Sequence, residues 1–307
     1  MKLGFLTSCM PERSLEDIAE WAKANGYEAL ELAAWPHLGD RPFTASHVKA
    51  DAFDDAEADR VRQALDDHGL VLSALAYYDN NLAPDPAERE AYHAHLRACI
   101  DAAAALGGVP VGTFIGRDPG RSVAENLREA ERVFPPLVDY AGERGVQLMI
   151  ENCVMEGWHP DGYPGNLAYS PELWEWMFEL GLFLNFDPSH LLWLGIDPVD
   201  ALRPYVDRVV HAHAKDAETF RAERNRYGFF GRTSTREQDP WDMGWWRYRI
   251  PGLGEVDFRR YVDTLYQGGF DGALSVEHED PVWGGTPELV EDGLRIAHNN
   301  LRGLVIG

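Results

Sequence analysis

The sequence has few basic residues for its length. Its 307 residues include 28 Lys and Arg against 51 Asp and Glu, and the formal net charge is −23. Proteins that bind nucleic acid draw most of their affinity from basic side chains that neutralise phosphates. The composition therefore disfavours a nucleic-acid partner.

Long apolar runs and paired cysteines are also missing. No apolar run approaches the roughly 18 residues of a membrane helix, and the opening MKLGFLTSCM contains no cleavable hydrophobic segment. The three cysteines form no CxxC pair, which fits a reducing compartment and predicts no disulfide framework. These absences predict a cytoplasmic protein without a membrane segment.

What the chain does contain is a regular repeat of helix ends. Five glycines each close a helical stretch and precede an apolar run, and their mean spacing is about 39 residues: Gly26, Gly69, Gly107, Gly145 and Gly181. That spacing fits one strand plus one returning helix, and the length accommodates about eight such units. We therefore predict an α/β fold, a single (β/α)8 TIM barrel over residues 1–307. Its strands are expected near 2–7, 27–32, 70–76, 110–115, 146–151, 182–187, 208–213 and 273–278.

Two places depart from the regular pattern. Pro135 and Pro136 lie inside a helical stretch from about 122 to 143, where we expect a break or kink. The unit between strands seven and eight is long, about 64 residues from His213 to Glu277. The excess, about 218–256, contains Trp241, Trp245 and Trp246, and we expect a lid-like insertion over the barrel mouth.

Chemically active side chains recur where the predicted strands end. Glu151, Asp187, His213 and Glu277 end four consecutive strands, and such ends share one rim of a barrel. Three carboxylates so close would repel one another unless a cation lay among them. Each residue alone could be a loop cap or a salt-bridge partner, but four in register favour a divalent metal site. The donor set suits Mn²⁺ or Mg²⁺, with Co²⁺ and Zn²⁺ also compatible.

Five short segments resemble one known family. IENC at 150–153, FDPSH at 186–190, HAHAKD at 211–216, PGLGEVDF at 251–258 and SVEHED at 275–280 resemble the sugar isomerase/epimerase family with a xylose-isomerase-like barrel. The superfamily also includes ketose 3-epimerases, inosose dehydratases and metal-dependent apurinic endonucleases. The resemblance implies that Glu151, Asp187, His213 and Glu277 hold the metal, that Glu151 and Glu277 are catalytic, and that His190 contacts a substrate oxygen.

The expected chemistry is proton abstraction beside a carbonyl, through a metal-bound enediolate of an unphosphorylated sugar, keto-sugar or inositol derivative. Returning the proton gives epimerisation or isomerisation. If the intermediate instead loses a β-leaving group, the enzyme is a lyase. It could then be an inosose-type dehydratase, or a 3-keto-glycoside lyase that releases C- or O-linked aglycones as a subunit of a complex. A DNA-repair endonuclease would need further metal ligands and a basic groove, which are not evident, and a non-catalytic sugar-binding protein remains an alternative. The chain could be a homo-oligomer or part of a hetero-oligomeric complex.

Several rim residues are candidate substrate contacts. Lys215 could reach a substrate oxygen or pair with a carboxylate, and Glu31 could bind substrate or orient the metal-ligand shell. Trp35 could stack on a sugar or pack at the rim, Phe114 points towards the same mouth, and Arg117 could bind hydroxyls or pair with Asp118. His211 reads as a buried, hydrogen-bonded core histidine. The segment 284–286 reads as a helix cap and only secondarily as a phosphate site.

Overall fold

The computed structural model describes residues 1–37, 45–155, 164–229 and 243–306. Its strands are β1 Lys2–Leu6, β2 Ala29–Ala33, β3 Val71–Asn80, β4 Val111–Phe114, β5 Leu148–Glu151, β6 Phe183–Phe186, β7 Val209–Ala214, β8 Asp216–Thr219, β9 Trp246–Arg249 and β10 Ala273–Val276. Its α-helices are α1 Leu15–Ala24, α2 Asp55–Asp66, α3 Pro86–Ala105, α4 Val123–Gly142, α5 Pro171–Glu179, α6 Ser189–Trp193, α7 Pro198–Leu202, α8 Arg221–Tyr227, α9 Phe258–Gln267 and α10 Pro287–Leu301.

Eight of the strands close into a parallel barrel in the order β1-β10-β7-β6-β5-β4-β3-β2. The predicted (β/α)8 barrel is confirmed, and each of the eight predicted strands overlaps an observed one. The third differs most, because β3 continues to Asn80 where residues 70–76 were expected. Its pairing with β4 shifts register between Ala76 and Asn80. The strand therefore bends there and continues beyond the predicted residues 70–76.

The glycine signals at the helix ends act as predicted. All five spaced glycines have positive φ angles, from +62° at Gly69 to +106° at Gly107. This conformation lets each helix end and the chain turn into the next strand without a Cβ clash. At the helix starts, the side chains of Ser14, Asp197 and Thr286 accept hydrogen bonds from backbone N–H groups of the first turn.

A break at Pro135-Pro136 does not occur, because α4 runs through both prolines, and the alternative of a kink stays a prediction. Each proline removes one N–H donor, which leaves the carbonyl four residues earlier without its helical partner. Those carbonyls belong to Glu131 and Arg132, which are both exposed. Water can therefore satisfy them, while Phe134 and Leu137 keep the opposite face of the helix in the core.

The long unit before β10 contains a small antiparallel sheet of β8 and β9. Trp246 of β9 stacks on Trp193 of α6, with ring centroids 4.5 Å apart and planes 5° from parallel. Trp245 and Tyr248 complete this satellite core. Trp241 lies outside the described residues, and the lid stays a prediction. Within the described segments, no helix has the length and apolar character that crossing a membrane would require.

Candidate metal centre and active site

Four neighbouring barrel strands bring Glu151, Asp187, His213 and Glu277 together. Glu151 ends β5, Asp187 follows β6, His213 lies in β7 and Glu277 follows β10. One ligand atom from each lies within 4.8 Å of the others. Nδ1 of His213 is 3.0 Å from Oε2 of Glu277 and 3.6 Å from Oε1 of Glu151. The structure thus juxtaposes the four side chains that the strand-end pattern selected.

The donors of this cluster fit a divalent cation. Oδ2 of Asp187, Nδ1 of His213 and Oε2 of Glu277 are buried and form no hydrogen bond, and the charged groups near them include Lys215 and one another. Buried polar atoms without hydrogen bonds are rare because desolvation is costly, and three such atoms that converge on one point are suited to bind a cation. Three carboxylate oxygens and one imidazole nitrogen form a mostly hard donor set. These residues could therefore hold a metal ion.

The side chains of the cluster and their neighbours shift one another's pKa values. Burial alone would raise the pKa of Glu151, but hydrogen bonding to His190 and His213 lowers it to about 2. Burial and Glu151 act to raise the pKa of Glu277, and Lys215 and His213 outweigh them, so that it lies below its usual value. Both glutamates are therefore carboxylates at neutral pH. Burial would lower the pKa of His213, but Glu31 and Glu277 raise it well above the usual value.

Lys215 supplies the positive charge that faces this cluster. It is 1% exposed, and its Nζ lies 2.8 Å from Oε2 of Glu277 and 3.3 Å from Oδ2 of Asp187. Nζ also donates a hydrogen bond to Oε2 of Glu279 at 3.2 Å and lies 4.6 Å from the ring centroid of Tyr248. The ammonium therefore touches two of the candidate metal ligands and lies within reach of any oxygen bound there.

His190 and Tyr248 form a second layer over the cluster. Nε2 of His190 lies 3.3 Å from Oε1 of Glu151 and 3.5 Å from Oδ2 of Asp187. On the other side of the ring, the hydroxyl of Tyr248 lies 3.0 Å from Nδ1. His190 was predicted as a substrate contact, whereas Tyr248 was missed. It belongs to β9 in the irregular insertion, where no periodic pattern relates it to the barrel mouth.

Glu31 lies beneath the cluster and contacts His213. Its Oε2 is 2.9 Å from Nε2 of His213 and accepts a hydrogen bond from Ser275. Its Oε1 accepts a hydrogen bond from the hydroxyl of Tyr78 at 2.8 Å. Burial would raise the pKa of Glu31, but His213 and His211 lower it to about 2. Of the two roles considered for Glu31, this geometry favours orienting the metal-ligand shell.

A polar layer one step deeper supports these residues. Nδ2 of Asn185 donates to Tyr78 at 2.7 Å and lies 3.0 Å from Nε2 of His213. His211 is the expected buried core histidine, and it contacts Asn185 at 3.1 Å. Sequence reasoning missed Tyr78, Asn185 and Ser275. The alternation of strand side chains could have identified Asn185 and Ser275, because each lies two residues before a predicted ligand.

The remaining rim candidates, Trp35, Phe114 and Arg117, pack against or donate hydrogen bonds to other residues of the protein. Trp35 and Phe114 are 6% and 4% exposed, and their rings lie 6.1 Å and 5.1 Å from that of Tyr78. The guanidinium of Arg117 donates to the carbonyls of Pro164 and Arg121. The alternative pairing of Arg117 with Asp118 is wrong, because Asp118 pairs with Arg121 at 3.2 Å and Arg117 turns towards loop carbonyls.

The segments KD at 215–216 and PGLG at 251–254 have a structural role. The carboxylate of Asp216 accepts hydrogen bonds from the backbone N–H groups of Ala217, Gly252, Gly254 and Val256. A Cβ on Gly254 would lie 2.3 Å from Oδ1 of Asp216, so only glycine allows this close approach. Asp216 therefore fixes the segment that returns from the insertion, next to Lys215.

The comparisons with known proteins agree with this architecture. A family model described as a xylose isomerase-like TIM barrel matches residues 19–299. The chain belongs to this family. Among curated proteins, it is 27% identical over 310 residues to an uncharacterized protein of Bacillus subtilis strain 168, YfiH, with 91% of this chain and 93% of that protein covered. It is 32% identical over 104 residues to an inosose dehydratase of Clostridium perfringens, which is 33% of this chain and 32% of that enzyme.

Two solved structures share the complete fold of this family member. A D-psicose 3-epimerase solved in the presence of D-fructose has a TM-score of 0.71 at 17% identity, with 100% of both chains covered. The IolI protein, solved with a binding zinc atom, has a TM-score of 0.69 at 18% identity, covering 99% of this chain and 98% of that one. At these identities the likeness shows the fold alone.

Proposed function

We propose that the protein is a divalent-metal-dependent isomerase or epimerase, which moves a proton next to the carbonyl of an unphosphorylated sugar, keto-sugar or inositol derivative. The observation that carries the proposal is the cluster of Glu151, Asp187, His213 and Glu277, with three of its ligand atoms buried and without hydrogen bonds. The epimerase and dehydratase names among its relatives support the same class of substrate.

The proposed cofactor is Mn²⁺, with Mg²⁺, Co²⁺ and Zn²⁺ as alternatives. Three carboxylates favour a hard cation, and the zinc atom of IolI supports a metal in a barrel of this type without selecting manganese. When bound, the ion would polarise the substrate carbonyl and make the neighbouring C–H bond more acidic.

Glu151 and Glu277 are the proposed acid–base pair. The oxygens that face the cluster are Oε1 of Glu151 and Oε2 of Glu277, which leaves one oxygen of each for the substrate. One carboxylate accepts the proton from carbon, and the C–H electron pair moves into the enediolate. The other glutamate takes up a proton from solvent and donates it to the opposite face, and the first glutamate then releases its proton to solvent, so that both are carboxylates again. Their strands, β5 and β10, are separated by β6 and β7, so the two groups approach from different sides.

His190 and Lys215 are the proposed contacts to substrate oxygens. Both are buried beside the two glutamates, with Lys215 held on Glu277 and His190 on Glu151. An ammonium and an imidazole N–H stabilise negative charge that develops on an oxygen when the enediolate forms. Trp35, Phe114 and Arg117 are the proposed residues of the wall of the same mouth.

A lyase is the second candidate, since the first step is shared. If the carbon next to the enediolate carries a leaving group, expulsion of that group replaces reprotonation, and the reaction is a dehydration or the release of an aglycone. The match to inosose dehydratases, over about a third of their length, favours this alternative.

Deuterium exchange tests the proposal. The Mn²⁺-loaded protein is incubated in D₂O with ketoses, inososes and 3-keto-glycosides, and mass spectrometry follows deuterium uptake and products. We expect uptake at the carbon beside the carbonyl of at least one compound, and its loss with chelator. Water loss or a released aglycone would identify the lyase. Metal-independent turnover, or no exchange with any compound, would contradict the proposal.

A further inference from the structure

A second group of potential metal ligands lies beside the first cluster and consists of Glu151, Cys153 and His190. One ligand atom from each lies within 4.8 Å of the other two. The three residues are 2%, 7% and 0% exposed, so the group is as deeply buried as the first cluster. Glu151 belongs to both groups, whereas Cys153 has no role in the mechanism above.

Hydrogen bonds to the backbone hold the segments that carry these side chains. Nδ2 of Asn166 donates to the carbonyls of Glu151 and Cys153, at 3.0 Å and 2.8 Å. Asn152 donates to the carbonyl of Asp187 at 2.8 Å and accepts from its N–H at 2.7 Å. The end of β5 is thereby tied to the turn between β6 and α6, the helix that carries the histidine. The group is therefore preorganised by residues that are not themselves ligands.

The spacing within the group suits a four-coordinate zinc ion. Bonds of about 2.0 Å to nitrogen or oxygen and about 2.3 Å to sulfur place neighbouring ligand atoms about 3.3–3.5 Å apart. Oε1 of Glu151 and Nε2 of His190 are already 3.3 Å apart. The thiol of Cys153, within 4.8 Å of the other two, is at most about 1.3 Å farther away than a bound sulfur would be.

The second ring nitrogen of His190 has the support that a metal-binding histidine needs. Nδ1 lies 3.0 Å from the hydroxyl of Tyr248. A phenol hydroxyl accepts hydrogen bonds as well as donating them, so Nδ1–H can donate to Tyr248 while Nε2 binds an ion. Such a contact fixes the tautomer and the orientation of the ring.

The thiol makes this group softer than the first cluster. Thiolate and imidazole ligands select Zn²⁺, whereas carboxylate oxygens suit Mn²⁺ and Mg²⁺. When zinc binds, the thiol of Cys153 loses its proton to solvent, and the sulfur electron pair forms the bond to the metal. The two groups should therefore differ in the ions that they accept.

The two groups meet at one carboxylate. Oε1 of Glu151 lies 3.6 Å from Nδ1 of His213 in the first cluster and 3.3 Å from Nε2 of His190 in the second. A glutamate with two oxygens can bridge two ions about 3.5–4 Å apart, as in other two-metal sites. An ion in the second group would take the oxygen of Glu151 that is otherwise left for the substrate.

We propose that Glu151, Cys153 and His190 form a second, zinc-selective metal site, and that zinc bound there inhibits the enzyme. The site itself stands on the geometry of the three residues. Its inhibitory effect rests on the proposed function, because the bound ion occupies a catalytic carboxylate and the imidazole nitrogen that contacts the substrate.

Counting bound metal tests the site without any substrate. Chelator-treated protein is titrated with Zn²⁺ or Mn²⁺, and mass spectrometry of the native protein counts the ions. We expect two Zn²⁺ but one Mn²⁺ per wild-type chain. Cys153→Ser should bind one Zn²⁺ fewer than the wild type, because a hydroxyl replaces the soft ligand. Cys99→Ser makes the same change at another buried cysteine, in α3, and should bind as many as the wild type.

Co²⁺ gives a second readout, because a cobalt–thiolate bond adds a charge-transfer absorption in the near ultraviolet. We expect this absorption in the wild type and in Cys99→Ser, and its absence in Cys153→Ser. Melting curves establish that both variants fold. Equal zinc counts in the wild type and Cys153→Ser, or equal cobalt absorption, would overturn the second site. A wild type that binds neither Mn²⁺ nor Zn²⁺ would contradict the metal dependence of the proposed function as well.

Inhibition is measured on deuterium exchange by the Mn²⁺-loaded proteins. Cys153→Ser should require at least about tenfold more Zn²⁺ than the wild type for half-inhibition, because the second site has lost a ligand. Displacement of Mn²⁺ from the first cluster would affect both proteins equally, so the difference reports on the second site. Equal inhibition would overturn the inhibitory role. Absence of exchange with every compound would instead overturn the proposed function and leave the zinc count to decide the site.

Discussion

Oε2 of Glu31 lies 2.9 Å from Nε2 of His213, although their strands β2 and β7 are separated in the barrel by β1 and β10. The contact occupies the ring nitrogen that points away from the cluster and leaves Nδ1 facing the carboxylates. A buried carboxylate in this position fixes the tautomer and the orientation of a metal-binding imidazole.

Glu31→Gln is therefore expected to weaken metal binding without unfolding the protein. The amide is a poorer acceptor than the carboxylate, and loss of such an orienting group costs about 10–100-fold in metal affinity. Ser275→Ala, which removes one hydrogen bond to the same oxygen, should have a smaller effect. Calorimetric titration with Mn²⁺ measures both. Wild-type affinity in Glu31→Gln would show that the contact is only structural.

Lys215→Gln should destabilise the metal-free protein and increase its response to metal. The ammonium lies on Asp187 and Glu277, and removing one partner of a buried ion pair costs about 3 kcal/mol. We expect a lower melting temperature without metal and a larger rise on adding Mn²⁺, measured by calorimetry. Exposed Lys49 provides the control in Lys49→Gln. An unchanged melting temperature in Lys215→Gln would contradict the assigned charge balance.

Asp216→Asn should loosen the return segment of the insertion. The amide replaces one acceptor oxygen of a carboxylate that receives four backbone N–H groups, and we expect a loss of about 2 kcal/mol in the free energy of unfolding. Hydrogen exchange should become faster over residues 246–256. Asp271→Asn, at an exposed position, should leave that exchange unchanged, and equal exchange in both variants would argue against the anchoring role.

The buried His47 should make stability depend on pH. Burial lowers its pKa to about 4 from the usual histidine value of 6.5, while its ring contacts Thr7 and the carbonyl of Met10. Between these values the unfolded chain binds a proton that the folded chain does not, so stability falls as the pH drops from 6.5 towards 4. From pH 7 to pH 5 this residue accounts for about 2 kcal/mol.

Urea unfolding of the wild type and His47→Gln at pH 7 and pH 5 measures this effect. The variant should lose less stability across the interval by about that amount, because its amide does not titrate. Other buried histidines act equally in both proteins. Identical losses would mean that His47 is not protected from protonation in the folded state.

The barrel was predictable because its signals are local and repeated. A glycine such as Gly26 or Gly145 ends a helix through its own φ angle. Eight units of one strand and one helix then leave little choice of topology. The grouping of Asp187 and His213 followed from strand ends meeting at one rim. These inferences needed no knowledge of side-chain packing.

Residues brought in by irregular backbone were not predictable in the same way. Tyr78 reaches Glu31 from the part of β3 where the register with β4 shifts, between Ala76 and Asn80. Gly112 makes room for Tyr78, since a Cβ on Gly112 would lie 2.5 Å from the tyrosine hydroxyl. Tyr248 reaches His190 from a hairpin of the insertion. Contacts of this kind depend on tertiary geometry, which residue spacing does not encode.

Metal stoichiometry tests the central claim most directly. Chelator-treated protein is titrated with Mn²⁺ by calorimetry, and bound metal is counted by mass spectrometry of the native protein. We predict one ion per chain in the wild type and a loss of affinity of more than about 100-fold in Asp187→Asn and His213→Gln, because losing a ligand costs more than losing a residue that orients one. Asp271→Asn should bind as the wild type does. Wild-type affinity in both ligand variants, or no bound metal in the wild type, would contradict the account.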